Sequence, residues 1–145
     1  MELELQEFAL TDFLTQLPNR RYFMKRLEEE HGRLLRNVDG RAAVLMCDLD
    51  HFKVVNDTHG HAVGDLVLKN FADVLREQLR KSDTVGRFGG EEFAVILADA
   101  DAAVAIGFAE RLQRSFAARP LVLDDKTIAV TLSIGIAIMH AGSPD

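Results

Sequence analysis

Residues 84–97 read Thr84-Val85-Gly86-Arg87-Phe88-Gly89-Gly90-Glu91-Glu92-Phe93-Ala94-Val95-Ile96-Leu97. Two short apolar runs flank a pair of glycines and a pair of carboxylates. Glycine tolerates positive φ, so Gly-Gly between strand-like runs reads as a tight hairpin turn. Side chains alternate along a strand, which puts Glu91 and Glu92 on opposite faces. One can enter a site while the other braces the hairpin or faces solvent. Taken alone, the stretch is an ordinary hairpin with solvated acids. The rest of the chain changes that reading.

Upstream, Arg41 leads into Ala42-Ala43-Val44-Leu45-Met46-Cys47, a short apolar run bounded by a turn and expected to be a central buried strand. It runs into Asp48-Leu49-Asp50, so carboxylates collect at its C-terminal end. Residues 51–65 are polar, with turn-like clusters at Asn56-Asp57 and His59-Gly60-His61, and are expected to form a long functional loop. Helical spacing returns from Leu66, with Leu68, Phe71, Leu75 and Leu79 on one face. Another helix, capped by Asn19, carries Phe23, Leu27 and Leu34. Residues 1–10 hold a short amphipathic segment that looks like the end of a longer helix.

Downstream, Asp101 is positioned to cap a helix with Val104, Phe108, Leu112 and Phe116 as its stripe, stopped by Pro120. Residues 121–123 and 127–138 are expected to form a second hairpin around Asp124-Asp125-Lys126. In the latter run large residues from Ile128 to Ile138 alternate with small ones, a strong period-two signal. The order is helix, strand, helix, hairpin, helix, hairpin. That is α+β, with helices packed on a mostly antiparallel sheet.

Composition sets outer limits. A chain of 145 residues, 28% charged and 48% hydrophobic, is one globular domain with room for a core. No apolar run approaches a membrane span. A net charge of -6 disfavours a general nucleic-acid surface. The single cysteine, Cys47, lies in an apolar run and reads as a buried hydrophobe in a protein of the reducing cytosol. The five histidines are scattered and no Gly-Lys-Ser/Thr phosphate loop is present, which argues against a zinc site and a Walker-type nucleotide site. Asp48 at a strand end and Glu91 at a hairpin that could pair beside it suit a hard cation such as Mg²⁺, which needs few protein ligands when substrate phosphates and waters supply the rest. The residues themselves thus point to acidic, Mg²⁺-dependent phosphate chemistry.

A resemblance sharpens this. Gly89-Gly90-Glu91-Glu92-Phe93 resembles the signature of GGDEF domains, the diguanylate cyclases that condense two GTP into cyclic di-GMP. Residues 12–21 (DFLTQLPNRR) resemble the family's opening motif, residues 48–65 (DLDHFKVVNDTHGHAVGD) its most specific stretch, and residues 131–137 (TLSIGIA) its late strand. The resemblance implies a nucleotidyl-cyclase, palm-like βαββαβ core. It also implies that Asp48, Glu91 and the carbonyl of Leu49 hold Mg²⁺, with Mn²⁺ as the alternative ion, and that Glu91 is the base for the 3′-hydroxyl. By the same match Asn56 and Asp65 bond guanine, and His61 lies near the nucleotide. Lys53, the backbone of Phe52, and Gly89 and Gly90 lie against the substrate, Lys53 neutralising phosphate charge. Beside this stand plainer readings. Asn56 and Asp65 are also turn and N-cap residue types, His61 can simply support its loop, His59 is an exposed loop residue, Phe52 is a core side chain, and Asp50 and Asp57 are structural acids.

The resemblance further assigns Arg80 and Asp83 to an R-x-x-D product-inhibition site for cyclic di-GMP, joined by Arg111; a surface ion pair is the plainer reading. The family continues past the late strand into another helix and strand that this chain does not contain, so residues 11–145 are expected to be a GGDEF domain lacking its C-terminal segment, with an apolar groove exposed. Each domain holds one GTP, so catalysis requires a second copy facing the first. A non-catalytic GTP or cyclic di-GMP binding module is the alternative. The expected setting is cytoplasmic, within a larger sensory or membrane-attached protein.

Overall fold

The computed structural model describes residues 10–142. The segment expected to end a longer helix lies, but for Leu10, outside the described residues. Helix α1 (Arg20–Leu35) starts at Asn19, whose side chain accepts from the Tyr22 amide at 3.0 Å, as its residue type predicts. Strand β1 (Ala42–Leu49) leads to α2 (Phe52–His59) and α3 (His61–Gln78). The hairpin follows as β2 (Thr84–Gly89) and β3 (Glu92–Ala98). Next come α4 (Ala102–Ala117), a small hairpin of β4 (Leu121–Leu123) and β5 (Lys126–Ile128), and finally β6 (Leu132–Met139). Asp101 caps α4 through the Val104 amide at 3.0 Å, again as expected.

Four strands form one antiparallel sheet in the order β2-β3-β1-β6, so β1 is central. With the small hairpin set aside, the order from β1 is the expected βαββαβ, its first crossover split into two helices. The fold is α+β.

Alternation divides the sheet into two faces. Leu45, Cys47 and Leu49 of β1 pack with Phe71, Val74 and Leu75 of α3 and Leu112 and Phe116 of α4. Phe71 stands edge-on to both Phe93, at 4.9 Å, and Phe116, at 5.0 Å, a favoured aromatic geometry. Burial pushes the Cys47 thiol up to about 12, so it is an inert packing group. On the other face α1 sets Phe23 against Ala94 and Ile96, with Val44 and Phe88 beside them. This approach is close: a Cβ on Gly86 would lie 2.6 Å from that of Phe23. Met46 of β1 is exposed on this face, and Ile136 of β6, opposite Leu45, is exposed on the other.

Two expectations fail. Residues 51–65 are not a loop. They are α2 and the start of α3, broken at Gly60, where φ is +92°. Nor do residues 127–138 make one strand. The hydrogen-bond ladder stops at Ile128, and β6 begins at Leu132 in the other sheet. The buried side of the alternation continues through Ile128, Val130 and Leu132, which concealed the break.

Candidate functional site

The sheet register builds the acidic end of the site. In the antiparallel ladders Asp48 stands opposite Glu92 of β3 and Ser133 of β6. Directly opposed residues put their side chains on the same face, so Glu92 shares the face of Asp48. Glu91 occupies the turn, and its carbonyl accepts from the Leu49 amide at 3.3 Å, which ties the hairpin tip to the end of β1. The Asp48 carboxyl is held above the ordinary carboxylate range, first by partial desolvation and then by the charges of Glu91, Glu92 and Asp50. This convergence of acids around a largely exposed carboxylate is what a divalent cation would relieve. Among the described residues no group of three or more His, Cys, Asp or Glu forms a metal cage. Two carboxylates and a carbonyl suit Mg²⁺, which keeps much of its shell for phosphate and water.

Asp50 is removed from that role by its own bonds. It accepts from the Thr131 hydroxyl at 2.7 Å and the Ser133 hydroxyl at 2.6 Å, and these hold its carboxyl below its ordinary value. It is a structural acid, as expected, and it ties the end of β1 to β6.

The turn is shaped by glycine. Phe88 drops out of the β2–β3 pairing, a bulge that bends the strand into Gly89 at φ +143° and Gly90 at φ +49°. A Cβ on either would meet nothing within 4 Å, so the need for glycine is conformational and the space above the turn is open.

The crossover helices supply the remaining candidates. Phe52 begins α2 with its ring in the core, as expected. Lys53, His61 and Asp65 are exposed on α2 and the first turns of α3. Asn56 faces Gly64 across the helix pair so closely that a Cβ there would sit 1.9 Å from Asn56 Oδ1. That oxygen is buried and has no hydrogen-bond partner among the described residues. Asn56 and Asp65 both lie inside helices, so neither is the turn or N-cap residue its type allows. His59 ends α2 half-buried, where an exposed loop position was expected.

Arg80 and Asp83 lie at the other end of the sheet. The Arg80 guanidinium donates to Asp83 at 2.9 and 3.2 Å and to the Ala98 carbonyl at 2.8 Å. Ala98 closes β3, six residue steps from Glu92, or about 20 Å at ~3.3 Å per step. Arg111 is exposed on α4, and among the described residues no hydrogen bond or ion pair joins it to Arg80 or Asp83.

Comparison with known proteins decides the family. The family profile described as "Diguanylate cyclase, GGDEF domain" matches residues 9–145. The chain belongs to the GGDEF family. Diguanylate cyclase A of Treponema denticola is 38% identical to this GGDEF domain over 136 residues, 92% of this chain and 37% of that protein. The crystal structure of diguanylate cyclase SiaD from Pseudomonas aeruginosa, in complex with its activator SiaC, matches with a TM-score of 0.89 and 37% identity, over 99% of this chain and 55% of that one. The coiled coil and GGDEF domain of DgcB from Caulobacter crescentus, in complex with c-di-GMP, matches with a TM-score of 0.90 and 29% identity, over 98% of this chain and 75% of that one. The chain thus spans little more than a third of the Treponema denticola relative, and less of others such as diguanylate cyclase DgcP of Pseudomonas aeruginosa, of which it covers 19%.

Sequence reading missed two partners. Glu92 stands directly across from Asp48, a relation that only the register reveals. Asp12 contacts the signature hairpin from 75 residues away, and no local pattern announces that.

Proposed function

We propose that this GGDEF domain is a diguanylate cyclase domain that condenses two GTP into cyclic di-GMP, working as two copies face to face. The observation that carries the proposal is the convergence of Asp48 and Glu91 at the open glycine turn, in a chain of this family. The 3′-hydroxyl oxygen of each GTP attacks the α-phosphorus of the other. A phosphorus–oxygen bond forms, the bond to pyrophosphate breaks, and the hydroxyl proton leaves to the Glu91 carboxylate. Two such steps give one cyclic di-GMP and two pyrophosphates.

Asp48, Glu91 and the Leu49 carbonyl would hold Mg²⁺ or Mn²⁺, which when bound stabilises the attacking and leaving oxygens. Lys53, with the amides that open α2, neutralises charge gathering on the phosphates. Gly89 and Gly90 let the nucleotide approach the backbone, and His61 flanks it. Asn56 and Asp65 read guanine. A buried acceptor without a donor costs about 1–3 kcal/mol, so the orphan Oδ1 of Asn56 favours a ligand carrying an N–H. Adenine would leave such groups unpaired and is rejected on that ground. Arg80 and Asp83, with Arg111 drawn in from α4, form the cyclic di-GMP inhibition site at the far end of the sheet. Product analysis after incubation with GTP and Mg²⁺ tests the reaction. Cyclic di-GMP with pyrophosphate is expected; binding of GTP without either product would make the domain a binding module.

A further inference from the structure

Among the described residues one side chain grips the signature turn without belonging to the acidic end. Arg87, in β2, donates to the Gly90 carbonyl through Nη2 at 2.9 Å and through Nε at 3.3 Å. Its Nη1 meets both oxygens of Asp12 at 3.2 Å, and this ion pair is largely shielded from solvent, with side-chain exposures of 14% and 20%. The Arg87 amide donates to the Pro18 carbonyl at 2.9 Å. One residue thus fastens the turn that holds Glu91 to the segment preceding α1.

That segment is itself fixed. The Asp12 amide donates to the Leu17 carbonyl at 2.7 Å and the Asn19 amide to the Leu10 carbonyl at 2.9 Å. Asp12 accepts from the Thr15 hydroxyl at 2.7 Å and amide at 2.9 Å, while Arg76 of α3 donates to the Thr15 carbonyl. Residues 12–18 therefore form a rigid block beside β2. On the other face of the same strand Phe88 stands edge-on to Phe23 at 5.3 Å, with the Arg20 guanidinium over its ring at 5.0 Å. The hairpin is clamped on both faces immediately before the two glycines, where the backbone is least constrained by its own side chains.

We propose that Arg87 is a positioning residue: its fork holds the Gly90 carbonyl against the Asp12 block and so sets where Glu91 stands. The fork matters because Nε and Nη2 of one planar guanidinium meet the carbonyl while Nη1 meets the carboxylate, a fixed geometry that the single nitrogen of a flexible lysine does not reproduce. A reach error of about 1 Å at a reacting group costs on the order of 10²-fold in rate. The catalytic part of the inference rests on the cyclase reading; the structural part does not.

The test compares wild type, Arg87→Lys and the near-isosteric Asp12→Asn by hydrogen exchange of residues 88–92 and by GTP kinetics. Arg87→Lys is expected to quicken exchange in the turn by about tenfold, with the core strands still protected. It should lower kcat by about 10²-fold and leave KM for GTP within about threefold. Asp12→Asn should move both readouts the same way by a smaller factor. Unchanged turn exchange in both variants overturns the proposal, as does a loss that appears in KM alone. If the wild type makes no product, the reaction is refuted while the exchange result still decides whether Arg87 holds the turn.

Discussion

Replacing Gly64 with alanine separates two physical effects of opposite sign. Gly64 lies inside α3, and on helix propensity alone alanine stabilises such a site by about 0.8–1 kcal/mol. The structure predicts the reverse. The new Cβ would lie 1.9 Å from Asn56 Oδ1 and 3.2 Å from Phe52 Cζ, so α2 must shift or both side chains must leave their rotamers. Overpacking of this kind costs about 1–3 kcal/mol, enough to outweigh the propensity gain over most of that range. Gly32 in α1 is the control, because a Cβ there meets nothing within 4 Å. Urea unfolding reads both variants: Gly32→Ala should raise the midpoint and Gly64→Ala should lower it, with the slope unchanged in each. For a domain near this size 1 kcal/mol moves the thermal midpoint by roughly 2–4 °C, so the two should separate clearly. Because Asn56 is the group displaced, Gly64→Ala should also weaken guanine-nucleotide binding. Equal stabilisation by both alanines would refute the close α2–α3 contact.

Asp48→Asn should stabilise the metal-free protein at pH 7 while abolishing turnover. The folded-state pKa of Asp48 is raised, so its charge opposes folding once ionised; the benefit of removing it is absent below the unfolded value near 3.9, grows as pH rises through the folded value, and is complete above it. For so exposed a group the gain is about 0.2–1 kcal/mol, read as the difference in thermal midpoint between pH 3.5 and pH 7; an equal difference at both would show that the acid cluster does not strain the fold. Arg80→Ala should weaken inhibition by cyclic di-GMP by at least about tenfold, with turnover retained. Unchanged inhibition in a folded variant would remove the second site.

The fold was legible where patterning is local and strong. The run ending at Cys47, the Gly-Gly turn and the two capped helices all follow from residue type and period. The helical character of residues 51–65 was hidden by function-like polarity. Lys53, Asp57, His61 and Asp65 fill the exposed side of α2 and α3, leaving Phe52, Val55 and Val67 as a thin buried trace. The strand break after Ile128 was hidden for the opposite reason, since alternating burial persists where pairing does not. Asp50 was read as a structural acid, and the hydroxyls of Thr131 and Ser133 that hold it are visible only once β6 is paired beside β1. The pairing of Asp12 with Arg87 had no such trace; contact across that separation depends on the whole sheet being in place.

The most direct test of the central claim is to incubate the protein with GTP and Mg²⁺ and quantify cyclic di-GMP and pyrophosphate, side by side with Glu91→Gln. The variant keeps the size of the side chain and removes its charge. The wild type should release two pyrophosphates for each cyclic di-GMP, and Glu91→Gln should release neither while unfolding at nearly the same temperature. Full turnover in Glu91→Gln would contradict the assignment of Glu91, and GTP binding by wild type with no product would contradict the reaction itself.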